Sequence, residues 1–181
     1  SLATINMVAY EGAVSFNRVA KIIDVPIKIN NDNSLPNLVI KKSEINFKDV
    51  SFGYDTSEVK AIKNVNLSIA GGSMAALVGH SGAGKSTILN LLPRFYDPQN
   101  GSIKIDGQNI KNVSLSSLRK HLSMVSQDVI LFDDTIKNNI AYAKHNASDQ
   151  EIVNACKFAA AEEFIEKLPS GYDTMIGENG I

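Results

Sequence analysis

Eight consecutive residues have the types and spacing needed to hold a multiply charged anion: Gly79-His80-Ser81-Gly82-Ala83-Gly84-Lys85-Ser86. They fit the pattern G-x-x-x-x-G-K-[ST], whose logic is physical. Glycines let the backbone wrap a phosphate without Cβ clashes, its N–H groups turned inward. A helix opening at the end of the loop adds unpaired donors and a partial positive charge. Lys85 carries a full charge to β- and γ-phosphates. The Ser86 hydroxyl suits Mg²⁺, and Thr87 suits an α-phosphate. Such a loop needs a strand before it and a helix after it. Met74-Ala75-Ala76-Leu77-Val78 is continuously apolar, the pattern of a strand buried on both faces. Ile88, Leu89, Leu91 and Leu92 suit a short helix that Pro93 stops.

The other elements are placed around this loop. Ile45 and Phe47 alternate with polar residues, and so do Val50, Phe52 and Tyr54. The two phases disagree by one residue, which predicts a β-bulge near Asp49. Val65, Leu67 and Ile69 alternate cleanly and suit a half-buried antiparallel strand. Ile103 and Ile105 make a further strand, closed by the turn pair Asp106-Gly107. Leu115, Leu118 and Leu122 fit a short helix, and Ser123–Ser126 a return to strand. Ser148-Asp149-Gln150-Glu151 is a capping box that starts a helix with Ile152, Val153, Ala155, Cys156 and Ala159 on its apolar face. Residues Leu2 to Asp24 read as a helix ended by Pro26. The polar stretch Asn30–Asn37 reads as a linker.

Bulk properties narrow the function classes. The 181 residues are 44% hydrophobic and 20% charged, as in a globular chain. Eighteen Lys+Arg balance nineteen Asp+Glu, which argues against a dedicated nucleic-acid binder. Cys156 is the single cysteine, so no intrachain disulfide forms. No run of about 18 uncharged apolar residues predicts a membrane span. His80, His121 and His145 lack metal-ligand spacing.

From about Ile45 onward the sequence resembles the ATP-binding domain of an ABC transporter, of the exporter kind with membrane helices and ATPase in one polypeptide. The resemblance is carried by Val50-Ser51-Phe52-Gly53-Tyr54, the loop Gly79–Thr87, Arg94-Phe95-Tyr96-Asp97-Pro98 and Gly101-Ser102-Ile103. It continues through Ser117-Leu118-Arg119, Val125-Ser126-Gln127-Asp128, Leu131-Phe132, Thr135-Ile136, Asn139-Ile140, Gly171-Tyr172-Asp173-Thr174 and Gly177-Glu178. It implies an α/β fold: a P-loop NTPase core with an antiparallel β subdomain, incomplete at its C-terminus and preceded by a helix. Residues 1–25 would end a membrane-domain helix, 26–43 would link, and 44–181 would form a partial ATP-binding domain.

The resemblance also assigns roles. Tyr54, by itself a strand residue, would stack on adenine, since a ring face makes no base-specific demand. Gln127, by itself a surface loop residue, would reach Mg²⁺ and the attacking water. Lys85 and Gln127 would serve catalysis, and Ser86 and Gln127 the metal. Glu178, by itself a solvated acid, would touch the membrane domain. The implied ligands are ATP and Mg²⁺. The implied partners are a second ATP-binding domain, as a homodimer or paired half-transporter, and the protein's own membrane domain through the Gln127 and Glu178 regions. The implied place is the cytoplasmic face of a membrane. The family's LSGGQ signature, Walker B strand and switch histidine do not occur before Ile181, so the chain reads as a fragment that binds ATP without hydrolysing it. Two rivals stay open: a non-hydrolysing regulatory half of an asymmetric transporter, and a soluble ABC protein.

Overall fold

A slip in strand phase organises the first half of the molecule. In the computed structural model, which describes residues 2–32, 34–55, 59–126 and 129–177, β1 (Ile45–Phe52) pairs antiparallel with β2 (Ile62–Ile69) and with β3 (Asn100–Ile105). Both registers break between Phe47 and Ser51. Asp49 sits there at φ 51°, its N–H donating to Asn66 Oδ1 at 3.0 Å. The predicted bulge is therefore present. It moves the side-chain phase by one, so that Phe47, Val50 and Phe52 are all buried. Gly101 makes this possible from β3. At φ 80°, a Cβ there would lie 2.3 Å from the Lys48 carbonyl oxygen.

β3 turns at Asp106-Gly107, both with positive φ, into β4 (Gln108–Asn109), and the sheet order is β2-β1-β3-β4. Positive φ at both central positions is the two-residue hairpin turn that Asp-Gly favours. A short 3₁₀ turn (Ile110–Asn112) and α3 (Leu115–Lys120) follow, the latter capped by the Ser114 hydroxyl. The core of this unit joins Leu38, Phe47, Val50, Phe52, Ile62, Leu91, Ile103, Ile105, Ile110 and Leu118.

α1 (Leu2–Ile23) forms as its pattern predicts, with Phe16, Val19 and Ile23 exposed. None of the helices among the described residues is long and apolar enough to cross a membrane. Residues 36–44 are fastened along their length. The Ser114 N–H donates to the Pro36 carbonyl, the Leu38 N–H to Ser117 Oγ, and the Val39 N–H to Gln108 Oε1. The Asp106 carboxylate then accepts from the N–H groups of Lys41, Lys42, Ser43 and Glu44. Those four donors, Lys41 foremost, hold its carboxyl down at about 2.

Two expected strands are corrected. Met74–Val78 belongs to neither sheet and is exposed, with Met74 at 100% and Val78 at 90%. Ser123–Ser126 is not in a sheet either, and Val125 is exposed. Apolar sequence specifies a wish for burial, but a strand also needs a neighbour for its N–H and C=O groups. Both sheets among the described residues are antiparallel, and neither offers these segments a parallel neighbour.

Residues 124–181 form a separate compact unit. A short β5–β6 pair (Asp134–Thr135 with Met175–Ile176) accompanies α4 (Ile136–Ala141), α5 (Asp149–Phe158) and α6 (Glu162–Glu166). The predicted capping box at Ser148 and Glu151 is complete, with both reciprocal bonds made. Of the expected apolar face, Ile152 and Cys156 are buried, whereas Ala155 and Ala159 are exposed. Ile136, Ile165 and Ile176 complete this core.

Candidate functional site

The loop 79–84 leads directly into α2 (Lys85–Leu91). Gly84 is the N-cap, at φ 84° and ψ 10°. It also lies against the start of β2, where a Cβ would come within 2.5 Å of Ile62 Cγ2 and 2.8 Å of the Ala61 carbonyl oxygen. Any larger residue would push the loop off the sheet. Inside the loop the Ala83 N–H donates to the His80 carbonyl at 3.2 Å. Lys85 folds back across it, its ammonium donating to the carbonyls of Gly79 at 2.8 Å and His80 at 2.7 Å. The cation is thus parked at the loop on two neutral acceptors. A charged phosphate oxygen is the stronger acceptor for the same donors.

Ser86 is exposed beside it, and Thr87, the next residue of the helix, is buried. The Tyr54 hydroxyl lies 3.2 Å from Thr87 Oγ1. This pairing follows from the bulge: the shifted phase continues through Val50 and Phe52 to Tyr54, bringing that side chain to the same face as α2. Sequence reasoning placed Tyr54 and the loop separately; the structure brings them together. Gln127 and Glu178 lie outside the described residues. His80 contributes its backbone carbonyl to the loop, as an acceptor for Lys85.

The far end of α2 is anchored by a knot that sequence reasoning missed. Arg94, buried and at φ 51°, donates from Nε and Nη2 to the two oxygens of Asp97 at 3.0 and 3.1 Å. Its Nη1 donates to the Ile110 carbonyl at 3.2 Å. Arg119 donates to the carbonyls of Pro93 and Arg94, and its guanidinium stands 5.4 Å from the Phe95 ring centre. The one signal was the Arg-x-x-Asp spacing, which suits a bidentate fork across a turn.

Among the described residues no cluster of three or more His, Cys, Asp or Glu is arranged for a metal. The oxygen donor at hand is the Ser86 hydroxyl. That fits a hard cation delivered with phosphate oxygens and water as its other ligands.

A glycine loop packed against the start of β2, opening into a helix and crossed by its own lysine, has the features of a P-loop. The chain belongs to the ABC transporter family, whose model matches residues 62–179. It is 46% identical over 181 residues to an ATP-dependent lipid A-core flippase of Legionella pneumophila (strain Paris), covering 100% of this chain and 30% of that protein. It is 47% identical over 163 residues to a putative multidrug export ATP-binding/permease protein of Staphylococcus aureus (strain NCTC 8325 / PS 47), covering 90% of this chain and 28% of the relative. A solved structure of a bacterial Atm1-family ABC exporter with ATP bound superposes with a TM-score of 0.85 at 44% identity, over 93% of this chain and 29% of that one. The chain therefore spans about a third of the length of the relatives it matches.

Proposed function

We propose that this chain holds the triphosphate of ATP in the loop Gly79–Thr87, as the nucleotide-binding part of an exporter. The protein it serves would couple ATP binding and hydrolysis to the export of a lipid or amphipathic compound. The observation that carries the binding step is Lys85, held 2.7–2.8 Å from two loop carbonyls and able to exchange them for β- and γ-phosphate oxygens. Thr87 would receive the α-phosphate and Tyr54 the adenine. Backbone N–H groups of residues 80–84 would line the phosphates.

Ser86 would hold Mg²⁺ together with nucleotide oxygens; the ion would offset charge on the phosphates. In hydrolysis by the whole protein, water would attack the γ-phosphorus as its bond to the β–γ bridging oxygen breaks, giving ADP, phosphate and a proton passed to solvent, and Lys85 would stabilise charge on the departing side. Gln127 would orient that water. The names of the relatives, a flippase and an export ATP-binding/permease protein, support the exporter reading and a place at a membrane; the side proposed for this part is the cytoplasmic face, where ATP is supplied. The proposed partners are a second ATP-binding domain and the protein's own membrane domain, met through the Gln127 and Glu178 regions.

Titration with a fluorescent ATP analogue in Mg²⁺ tests the binding step. Lys85→Ala should weaken binding by about tenfold or more, the worth of one charge-assisted contact. Equal binding by the variant would remove Lys85 from the site.

A further inference from the structure

We infer that Tyr96 is a positioning residue for base recognition, holding the Tyr54 ring in the attitude a nucleobase needs. The inference rests on the proposed role of Tyr54 and adds a residue to it.

Three aromatic rings meet beside the loop. Tyr54 stands edge to face with Phe52, at 4.9 Å between centroids and 84°, and with Tyr96, at 5.1 Å and 88°. Phe52 and Tyr96 are themselves 5.3 Å apart. Three nearly equal separations make a nearly equilateral triangle. Both neighbours therefore lie in one sector as seen from Tyr54, and the opposite side of its ring is clear of them. A ring braced on one side and pinned at its hydroxyl by Thr87 has little freedom about χ1 or χ2. It presents a fixed platform, and a fixed platform loses less entropy when a base stacks on it.

The two braces differ. Phe52 is a buried core residue. Tyr96 is 41% exposed and contributes little to the core, yet its backbone is tightly held. Arg94 and Asp97 close a fork around it, Arg119 fastens the turn from outside, and Gln99 ties the following residues to β1 through Ser51 and Gly53. An exposed aromatic side chain on so constrained a turn is explained by what it touches. Through Tyr96, the turn that ends α2 reaches the base platform, so the phosphate helix and the platform share one rigid support.

Affinity for two ligands separates this role from a structural one. ATP and inorganic triphosphate share the phosphates, and their affinity ratio reports the base alone. In the chain, Tyr96→Ala should lower the preference for ATP by about fivefold or more, the scale of a lost aromatic–base stack. Its affinity for triphosphate should stay within about twofold, because the phosphate contacts are intact. Tyr96→Phe, which keeps the ring and the edge-to-face geometry, should restore the preference. Tyr96→Leu, which keeps apolar bulk without a ring, should behave as the alanine variant and guards against a folding defect in the latter. An unchanged preference in the alanine and leucine variants, or equal losses for both ligands, would overturn the inference. Failure of the underlying reading looks different: Tyr54→Ala would leave the preference for ATP unchanged, or Lys85→Ala would leave triphosphate binding unchanged.

Discussion

Met74–Val78 and Asn100–Ile105 both enter the loop-bearing half of the molecule as β-prone, apolar-containing segments, and their fates are opposite. Ile103 and Ile105 are 1% and 3% exposed, Ile103 paired with Phe47 of β1 and Ile105 with Ile45 of β1 and Gln108 of β4. Met74 and Val78 are almost fully exposed, although their run is the more hydrophobic of the two. The difference is a partner. β3 has β1 on one side and β4 on the other, fitted together by Gly101 at the bulge. Met74–Val78 has no strand beside it among the described residues. Hydrophobicity makes burial favourable in proportion to area, but the backbone must be satisfied first.

The contrast can be broken by substitution. Ile103→Ala should cost about 2–5 kcal/mol in urea unfolding, from lost transfer energy and a cavity. Met74→Ser should change stability by less than about 0.5 kcal/mol and raise solubility, by interrupting an exposed apolar run of the kind that pairs edge to edge. Similar losses at the two sites would show that Met74–Val78 is packed after all. Gly101→Ala sharpens the same comparison through the backbone. The positive φ and the Lys48 carbonyl at 2.3 Å predict a loss of about 2 kcal/mol or more, with the β1–β3 amides exchanging faster by hydrogen exchange. A smaller effect is expected at Asp106. Its carboxyl is held at about 2, below the ordinary 3.8, so its contribution is complete above pH about 4 and fades as pH falls through 2. Asp106→Asn should weaken protection of the Lys41–Glu44 amides at neutral pH and flatten acid unfolding between those limits. An unaltered exchange pattern would remove Asp106 from that role.

Local signals in the sequence proved readable because each has a local cause. The one-residue phase slip at Asp49 is the bulge itself. Asp106-Gly107 is the hairpin turn, and Ser148 with Glu151 is the capping box. The loop Gly79–Ser86 was legible because few spacings wrap a phosphate. The contact between Tyr54 and Thr87 was not, since it joins residues on separate elements through a sheet register. The Arg94 knot was hidden for the same reason: its partners include the carbonyls of Pro93, Arg94 and Ile110, and backbone atoms leave no mark in side-chain pattern. Pairing of Met74–Val78 and Ser123–Ser126 was overestimated because their composition states a preference, while pairing is decided by what lies alongside.

The fastening of residues 36–44 sets how length changes are felt. Between Asp24 and Asp32 the chain is held more lightly, by the Lys28–Asp55 ion pair and by Ile29 packed against the core, so an inserted residue is better tolerated there. Between Leu38 and Glu44 there is no slack: one extra residue would shift the amides that meet the Asp106 carboxylate by a full step, and Ile45 could not enter β1 in phase. A pull that reaches residues 38–44 is therefore delivered to the first hydrogen bond of the sheet, at the end of the strand that leads to Tyr54.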